Sequence, residues 1–512
     1  MSYEMYRQQF EGESFNDVLV EQLRRTPWLL FSAMVHAALV VILMLFMGDP
    51  DENGVEEQAA MEMEDEEIPD EEIIEEEPPE EEPEPEELVE DPVEVDEEVD
   101  DHDEDETNED YEETKGEEDF ISDKPFDSKS NNDAIGLGGG AGGSFGGRRG
   151  GRKHARRGRG KKAQAAVDKG LEWLSRHQSP DGVWDCDGFM SNGDAEKGPL
   201  TDGKGAPQWD VGVSGLSLLC FLGAGETHRN GQYRKTVAKG LKWLRNQQDG
   251  EGCFGSKTVS NFTYNHSIGA LAMIEAYGLT KSPLFKTSAE KGIAYVQQCQ
   301  NPYKAWRYKE ADGQNDTSVT GWMVMALKSA KNAKVAIDDR RFGWALDWVE
   351  EMTDEESGRT GYIRAGEPPV REPNKKEEFP GEESESLTAV GICCRVFCGQ
   401  DPTQEKMIKL GVENLLSKKL PVWDQAKGSI DMYYWYYGTL AMFQIGGDAW
   451  KKWNTAMNEA IIERQRTDGN FSGSWDPKGA WGEAGGRVYS TALMTLCLEV
   501  YYRYGRVFGT GK

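Results

Sequence analysis

The sequence predicts an all-α protein: an α6/α6 toroid of six helical hairpins, preceded by one transmembrane helix and a long disordered tether. Three observations carry this. A segment of the type Gly-Leu-x-Trp-Leu recurs through residues 163 to 512. Each copy is followed by a more apolar segment. The acidic charge is confined to one stretch between a single apolar run and the repeats. Of the net charge of -36, residues 49 to 123 contribute 42 Asp or Glu against one Lys, a net of -41, whereas residues 163 to 512 hold 44 acids against 42 bases. That confinement excludes the uniformly acidic surface of a halophile protein or a nucleic-acid mimic.

Taking the elements in order, residues 1 to 26 are a short polar segment and residues 27 to 48 the expected transmembrane helix. Trp28 to Met47 are 20 residues without a formal charge, enough at about 1.5 Å per residue to cross a hydrocarbon core of about 30 Å. A cleaved signal peptide is the rival reading. Against it, a polar stretch precedes the run, and Phe46-Met47-Gly48-Asp49-Pro50 lacks a small-x-small cleavage pattern. Arg24 and Arg25 abut the N-terminal end, so the positive-inside rule puts the N-terminus in the cytoplasm and the rest outside.

Within the run, Ser32 and His36 are four apart and share a helix face. One reading is a neutral imidazole bonded to a helix carbonyl or to Ser32. The other comes from resemblance. A single span with Ser-x-x-x-His and a Glu/Pro-rich spacer such as Glu75-Glu76-Glu77-Pro78-Pro79-Glu80 resembles the anchor of TonB-type energy transducers, although the spacer lacks Lys-Pro repeats. The resemblance implies that Ser32 and His36 contact a proton-channel complex in the inner membrane, and that the chain is a single-pass inner-membrane protein with a periplasmic toroid.

Residues 49 to 162 form the linker, first acidic and Glu/Pro-rich, then Gly/Arg-rich. The acidic part has almost nothing apolar to bury and repels itself, so ordering entropy is not recovered. Arg148 to Lys162 carry nine Lys or Arg in fifteen positions, a flexible basic hinge. It lacks the interleaved aromatics that stack nucleobases, and the expected topology removes it from cytosolic RNA, so nucleic acid is not the expected partner. Anionic envelope polymer, lipid headgroups or the acidic tether itself fit it better.

The repeats begin at Gly170-Leu-Glu-Trp-Leu, Gly240-Leu-Lys-Trp-Leu, Gly292-Ile-Ala-Tyr-Val, Ala345-Leu-Asp-Trp-Val, Gly411-Val-Glu-Asn-Leu and Ala460-Ile-Ile-Glu-Arg. Three are followed by a turn with Gln, Asp-Gly and an aromatic: Gln178 to Trp184, Gln248 to Phe254 and Gln465 to Phe471. Asp-Gly supplies the turn, and the aromatic can return onto the preceding helix. The second segments begin near Val211, His266, Ser318, Ser386, Tyr433 and Tyr489. Some are apolar nearly all round, as in Val213 to Leu222, and must be buried. Six such hairpins could stack as an open solenoid, but closure surrounds every inner helix and leaves no end to cap.

These motifs resemble the prenyltransferase and squalene-oxidase repeats of triterpene cyclases and protein prenyltransferase β subunits. The resemblance implies the toroid and, for chemistry, either of two motifs. The Asp-x-Asp-Asp acid of squalene-hopene cyclases does not occur here. The zinc set of protein prenyltransferases, an Asp-x-Cys pair and a distant His, is approached only by Trp184-Asp-Cys-Asp187, with wrong spacing, and by His266, which begins an inner helix as that family's ligand does. The Gly-Cys-Gly-Glu-Gln of toroidal thioester domains is absent too. No metal and no cofactor is expected. The eight cysteines show no close-paired metal-binding spacing and sit mostly in apolar stretches, as small core residues do.

What remains is a mouth where inner-helix N-termini converge, with Asp210, His266, Asp316, Glu385, Asp431 and Arg487 expected there. Several are equally ordinary helix caps. Trp322 and the aromatic run Tyr433 to Tyr437, with Tyr434 and Trp435, add a pocket expectation, as does Tyr489. Three functions compete, and the first is the expected one. The first is a noncatalytic binding or scaffold module of the cell envelope, tethered to the inner membrane and presenting its pocket to an apolar or isoprenoid ligand or an envelope protein. The second is an isoprenoid-acting enzyme with Asp316 or Asp431 as acid. The third is a TonB-like transducer.

Overall fold

The computed structural model describes Arg148, Arg152 and residues 161–503. The run Trp28 to Met47, with Ser32 and His36, and the acidic stretch lie outside the described residues. Among the described residues, no helix is long and apolar enough to cross a membrane and there is no strand, only isolated bridges at Gln248/Phe254 and Thr353/Thr360.

The helices alternate between two layers. The outer ones are α1 (Lys161–Arg176), α3 (Arg234–Asn246), α5 (Pro283–Gln298), α7 (Arg340–Glu351), α9 (Lys406–Gly411, running on into a π turn, Val412–Leu416) and α11 (Gly447–Ile462). The inner ones are α2 (Asp210–Gly223), α4 (Phe262–Thr280), α6 (Thr317–Asn332), α8 (Ser386–Phe397), α10 (Met432–Ile445) and α12 (Gly482–Leu498), with a last turn α13 (Val500–Arg503). Outer α1 buries Ala163, Ala166, Val167, Gly170, Leu171 and Leu174, a stripe at spacings of three and four that faces the ring. Inner α2 buries every residue after Asp210, because other helices surround it. Each inner helix packs against the next, α12 packs back onto α2, and α11 onto α1. The ring is closed.

The repeated residues explain the closure. Gln178 Nε2 donates to Gly182 O (2.9 Å) within its own turn and to Thr236 O (3.0 Å) on the next outer helix. Gln248 does the same to Gly252 O and Ser288 O, and Gln465 to Gly473 O and Ala166 O, the last joining α11 to α1. A fourth clamp has no Asp-Gly: Gln300 donates to Lys304 O and Arg341 O. The indoles of Trp184, Trp306 and Trp475 return to the preceding outer helix and donate to Leu174, Val296 and Ile461 carbonyls, each at 2.8 Å. The repeat glycine is the seat for this ring: a Cβ on Gly240 would lie 2.8 Å from Trp184, and one on Gly292 2.7 Å from Phe254.

Two inner helices start earlier than their sequence suggests. α4 begins at Phe262, four residues before His266. α12 begins at Gly482 rather than near Tyr489, but its path breaks at Gly486 (φ 70°, ψ -168°), a conformation that glycine adopts freely.

The basic hinge is not wholly loose. Arg148 is 1% exposed, with NH1 donating to Leu222 O (2.8 Å) and both terminal nitrogens to Glu275 Oε2 (3.1 Å). Arg152 pairs with Glu226 (2.9 Å) and Asp168 (2.8 Å). The linker expected to be disordered through residue 162 therefore docks at these two points, on the C-terminal ends of α2 and α4. The reason is long-range: the carboxylates that hold it lie up to 127 residues away.

Candidate functional site

Because inner helices all run the same way, their N-termini share one end of the ring, and the six expected charged or imidazole residues behave differently there. Asp431 caps α10, accepting Tyr434 N–H (3.0 Å) through Oδ1, while Oδ2 accepts Arg371 NH2 (2.7 Å) and Ser384 Oγ (2.9 Å). Both of its oxygens are engaged, Oδ2 in a buried ion pair. Glu385, fully buried, is held by Arg359 and by Thr388 Oγ1 (3.0 Å). Arg487 is pinned by Asp202, Asp476 and Ser474, and joins the α12 break to the loop before α2. Asp210 accepts Cys186 N–H (2.8 Å); burial pushes its carboxyl up to about 6, and burial together with Asp210 pushes the Cys186 thiol up.

His266 has a framework role. Its Nδ1 accepts the Phe254 backbone N–H at 3.1 Å. In the other repeats Trp184, Trp306 and Trp475 offer the same N–H to Ser214 Oγ, Thr320 Oγ1 and Thr491 Oγ1. Burial lowers its pKa to about 3, so it is a neutral acceptor. Among the described residues no group of three His, Cys, Asp or Glu is placed to hold a metal. Tyr434 and Trp435 are each 1% exposed and face the outer layer, where Tyr434 Oη donates to Lys419 O (2.8 Å) and Trp435 meets Trp423. They are core rather than pocket.

Asp316 stands apart. It caps α6 through Oδ1, which accepts Val319 N–H at 2.8 Å, and it is fully buried, yet Oδ2 has no hydrogen-bond partner. Arg307 Nε lies 3.9 Å from Oδ2, beyond bonding distance. Burial outweighs the helix N–H groups, Arg307 and the neighbouring Tyr362 hydroxyl, and raises the Asp316 pKa to about 7.

Aromatics that the sequence left outside the site surround it. Tyr308 and Tyr362 meet through their hydroxyls beside Asp316. Tyr264 Oη donates to Ser318 Oγ (2.9 Å), and Ser318 and Tyr433 share a bond of 2.8 Å, so α4, α6 and α10 are joined across the ring. Below, Trp322 stacks on Tyr436 (5.5 Å) and meets Tyr437 edge-on (5.4 Å). Trp209, Tyr264, Tyr308, Tyr433, Trp481 and Tyr489 stay partly exposed above the packed core, forming an aromatic rim. Tyr308 and Tyr362 lie in turns without periodicity, so only their placement beside Asp316 reveals them. A separate cavity of about 520 Å³ lies elsewhere, lined by Lys257, Val259, Phe262, Tyr295, Lys309 and Glu310, and none of the expected site residues borders it.

Residues 153–362 match the squalene-hopene cyclase C-terminal domain family. Among curated proteins, the squalene-hopene cyclase of Bradyrhizobium diazoefficiens is 27% identical over 183 residues, 32% of this chain and 26% of that one. The terpene cyclase-glycosyl transferase fusion protein fsoA of Humicola fuscoatra is 25% identical over 213 residues, 37% of this chain and 16% of that one. The chain thus spans about a quarter or less of the curated relatives it matches. Among solved structures, the type II terpene cyclase MstE from Scytonema gives a TM-score of 0.42 at 12% identity, covering 67% of this chain and 97% of that one. An α-1,6-mannanase of Salegentibacter gives 0.43 at 13% identity, covering 66% and 98%. The family match covers residues 153–362 and does not bear on the TonB-like anchor. The repeat region is a closed α/α toroid whose first three hairpins are similar to the squalene-hopene cyclase C-terminal domain.

Proposed function

We propose that the toroid is a noncatalytic binding module, which presents its aromatic rim and Asp316 to a ligand. The observation that supports this is the state of the mouth. Asp431, Glu385 and Arg487 are committed to ion pairs, and Tyr264, Ser318 and Tyr433 bridge the lumen where a cyclising polyene would need an open, elongated cavity. Asp316 is left with one unpartnered oxygen. Its burial makes it a weaker acid than a free carboxyl, the wrong direction for protonating an alkene. In this proposal the chain is held at the inner membrane by residues 27 to 48, with the toroid outside.

The isoprenoid-acting enzyme is the second reading, favoured by the match of residues 153–362 to the cyclase family. Mass spectrometry of lipid extracts from the purified full chain, followed by incubation with squalene and with geranylgeranyl substrates, separates the two. A bound ligand without turnover supports the module; a cyclised or transferred product lost in Asp316→Asn establishes the enzyme.

A further inference from the structure

The Arg307 guanidinium sits over the rings of Tyr308 (5.1 Å) and Tyr362 (5.8 Å), on the side where Asp316 offers its unpartnered Oδ2. Two aromatic faces and a buried carboxylate oxygen make a seat for a cation, because the rings supply negative faces and the carboxylate a full charge. The chain fills that seat loosely. Arg307 Nε has no hydrogen-bond partner and lies 3.9 Å from Asp316 Oδ2, and NH1 donates to Gln314 Oε1 (2.9 Å) at the exposed edge. Elsewhere in the ring arginines are held differently: Arg371 meets Asp431 at 2.7 Å and Arg487 meets Asp202 at 2.6 Å. The head of Arg307 also shows the size of the space, since whatever replaces it has the volume of a guanidinium.

We propose that the Asp316, Tyr308 and Tyr362 seat is a binding site for a compact organic cation, an ammonium or guanidinium head, and that Arg307 is its exchangeable resident. The proposal rests on the binding-module reading of the mouth and names the chemistry of its ligand. The head comes from a free amine or from a lipid headgroup, which share this chemistry. Arg307 competes with it, so ligand binding moves Arg307 outward, toward Gln314 and solvent.

The test is calorimetric titration of the full chain in mildly alkaline buffer with choline, with 3,3-dimethylbutan-1-ol, its neutral isostere, and with glycerophosphocholine. Choline binding at least tenfold tighter than the isostere supports the seat, and Arg307→Ala raises choline affinity by about tenfold because the competitor is gone. Asp316→Asn, which keeps the helix cap through Oδ1, loses the preference while remaining folded by circular dichroism. Glycerophosphocholine binding as tightly as choline assigns the site to a headgroup; weaker binding assigns it to free amines. Equal affinity for choline and its isostere in wild type and Arg307→Ala, or a preference that survives Asp316→Asn, overturns the cation seat. Turnover of an isoprenoid would instead sink the noncatalytic reading and leave the choline result untouched.

Discussion

His266 accepts the backbone N–H of Phe254 through Nδ1 at 3.1 Å, in the seat that Ser214, Thr320 and Thr491 hold in other repeats. His266→Ala leaves that N–H buried and unpaired, an expected loss of about 1–3 kcal/mol in urea unfolding. His266→Ser should recover part of the loss. If Ala and Ser are equally harmful, the imidazole has a task beyond this bond.

Acid should destabilise the ring through its buried imidazoles. His177 is lowered to about 4 and His266 to about 3, in both cases mainly by burial. Both are neutral in folded and unfolded chains above the ordinary imidazole value of 6.5, so they contribute nothing there. As pH falls below 6.5 the unfolded chain takes up protons that the folded one refuses, and stability drops down to about 4 for His177 and about 3 for His266. Melting temperature against pH, compared between wild type and His177→Gln/His266→Ser, checks the slope.

Asp316 should act in the opposite sense. Its pKa rises from 3.8 to about 7, so its contribution is most favourable below 3.8 and is lost as pH rises through about 7. Asp316→Asn keeps the Oδ1 cap and removes a buried charge, and should therefore melt higher than wild type in alkaline buffer, with the difference vanishing in acid. A lower melting temperature at alkaline pH would mean that the carboxylate is better solvated than its burial implies.

Breaking the pair of Arg371 and Asp431 should be costly, because either partner alone is a buried charge. Arg371→Ala is expected to lose about 3–5 kcal/mol, and the double variant Arg371→Met/Asp431→Asn less than the single one. Denaturant midpoints of the three chains decide it; a double variant that loses as much as the single one would show that the two residues do not act as a pair.

The repeats made the ring legible because their information is local. A glycine that admits an aromatic, a glutamine that clamps a turn and a helix apolar on all faces can each be read within about ten residues of sequence. Gln300 to Trp306 escaped because its turn uses Asn301-Pro302-Tyr303, with Tyr303 in the left-handed region (φ 60°), in place of Asp-Gly. The site was less legible. Asp316 and Asp431 look alike in sequence, both being acids ahead of an apolar helix. What separates them is Arg371, 60 residues from Asp431 and bonded to it. Partners of that kind leave no periodic trace.

Arg148 offers a last measurement. Starting the chain at residue 163 leaves the fully buried Glu275 without this guanidinium, so it should melt below a chain starting at residue 146, by an amount on the order of 3 kcal/mol. Glu275→Gln should narrow the gap. Equal melting of the two chains would show that the docked arginines add nothing to the ring.

The docking also fixes an orientation. Leu222, Glu226 and Glu275 lie at the trailing ends of α2 and α4, whereas Asp316, Tyr308 and Tyr362 gather at the leading ends of the inner helices. Arg148 and Arg152 are therefore seated at the opposite end of the inner helices from Asp316, and a pull on these two residues is shared among α2, α4, the turn after α2 and the outer helix α1. The aromatic rim is thus at the end of the ring away from these two arginines, like the bell of a horn held by its mouthpiece.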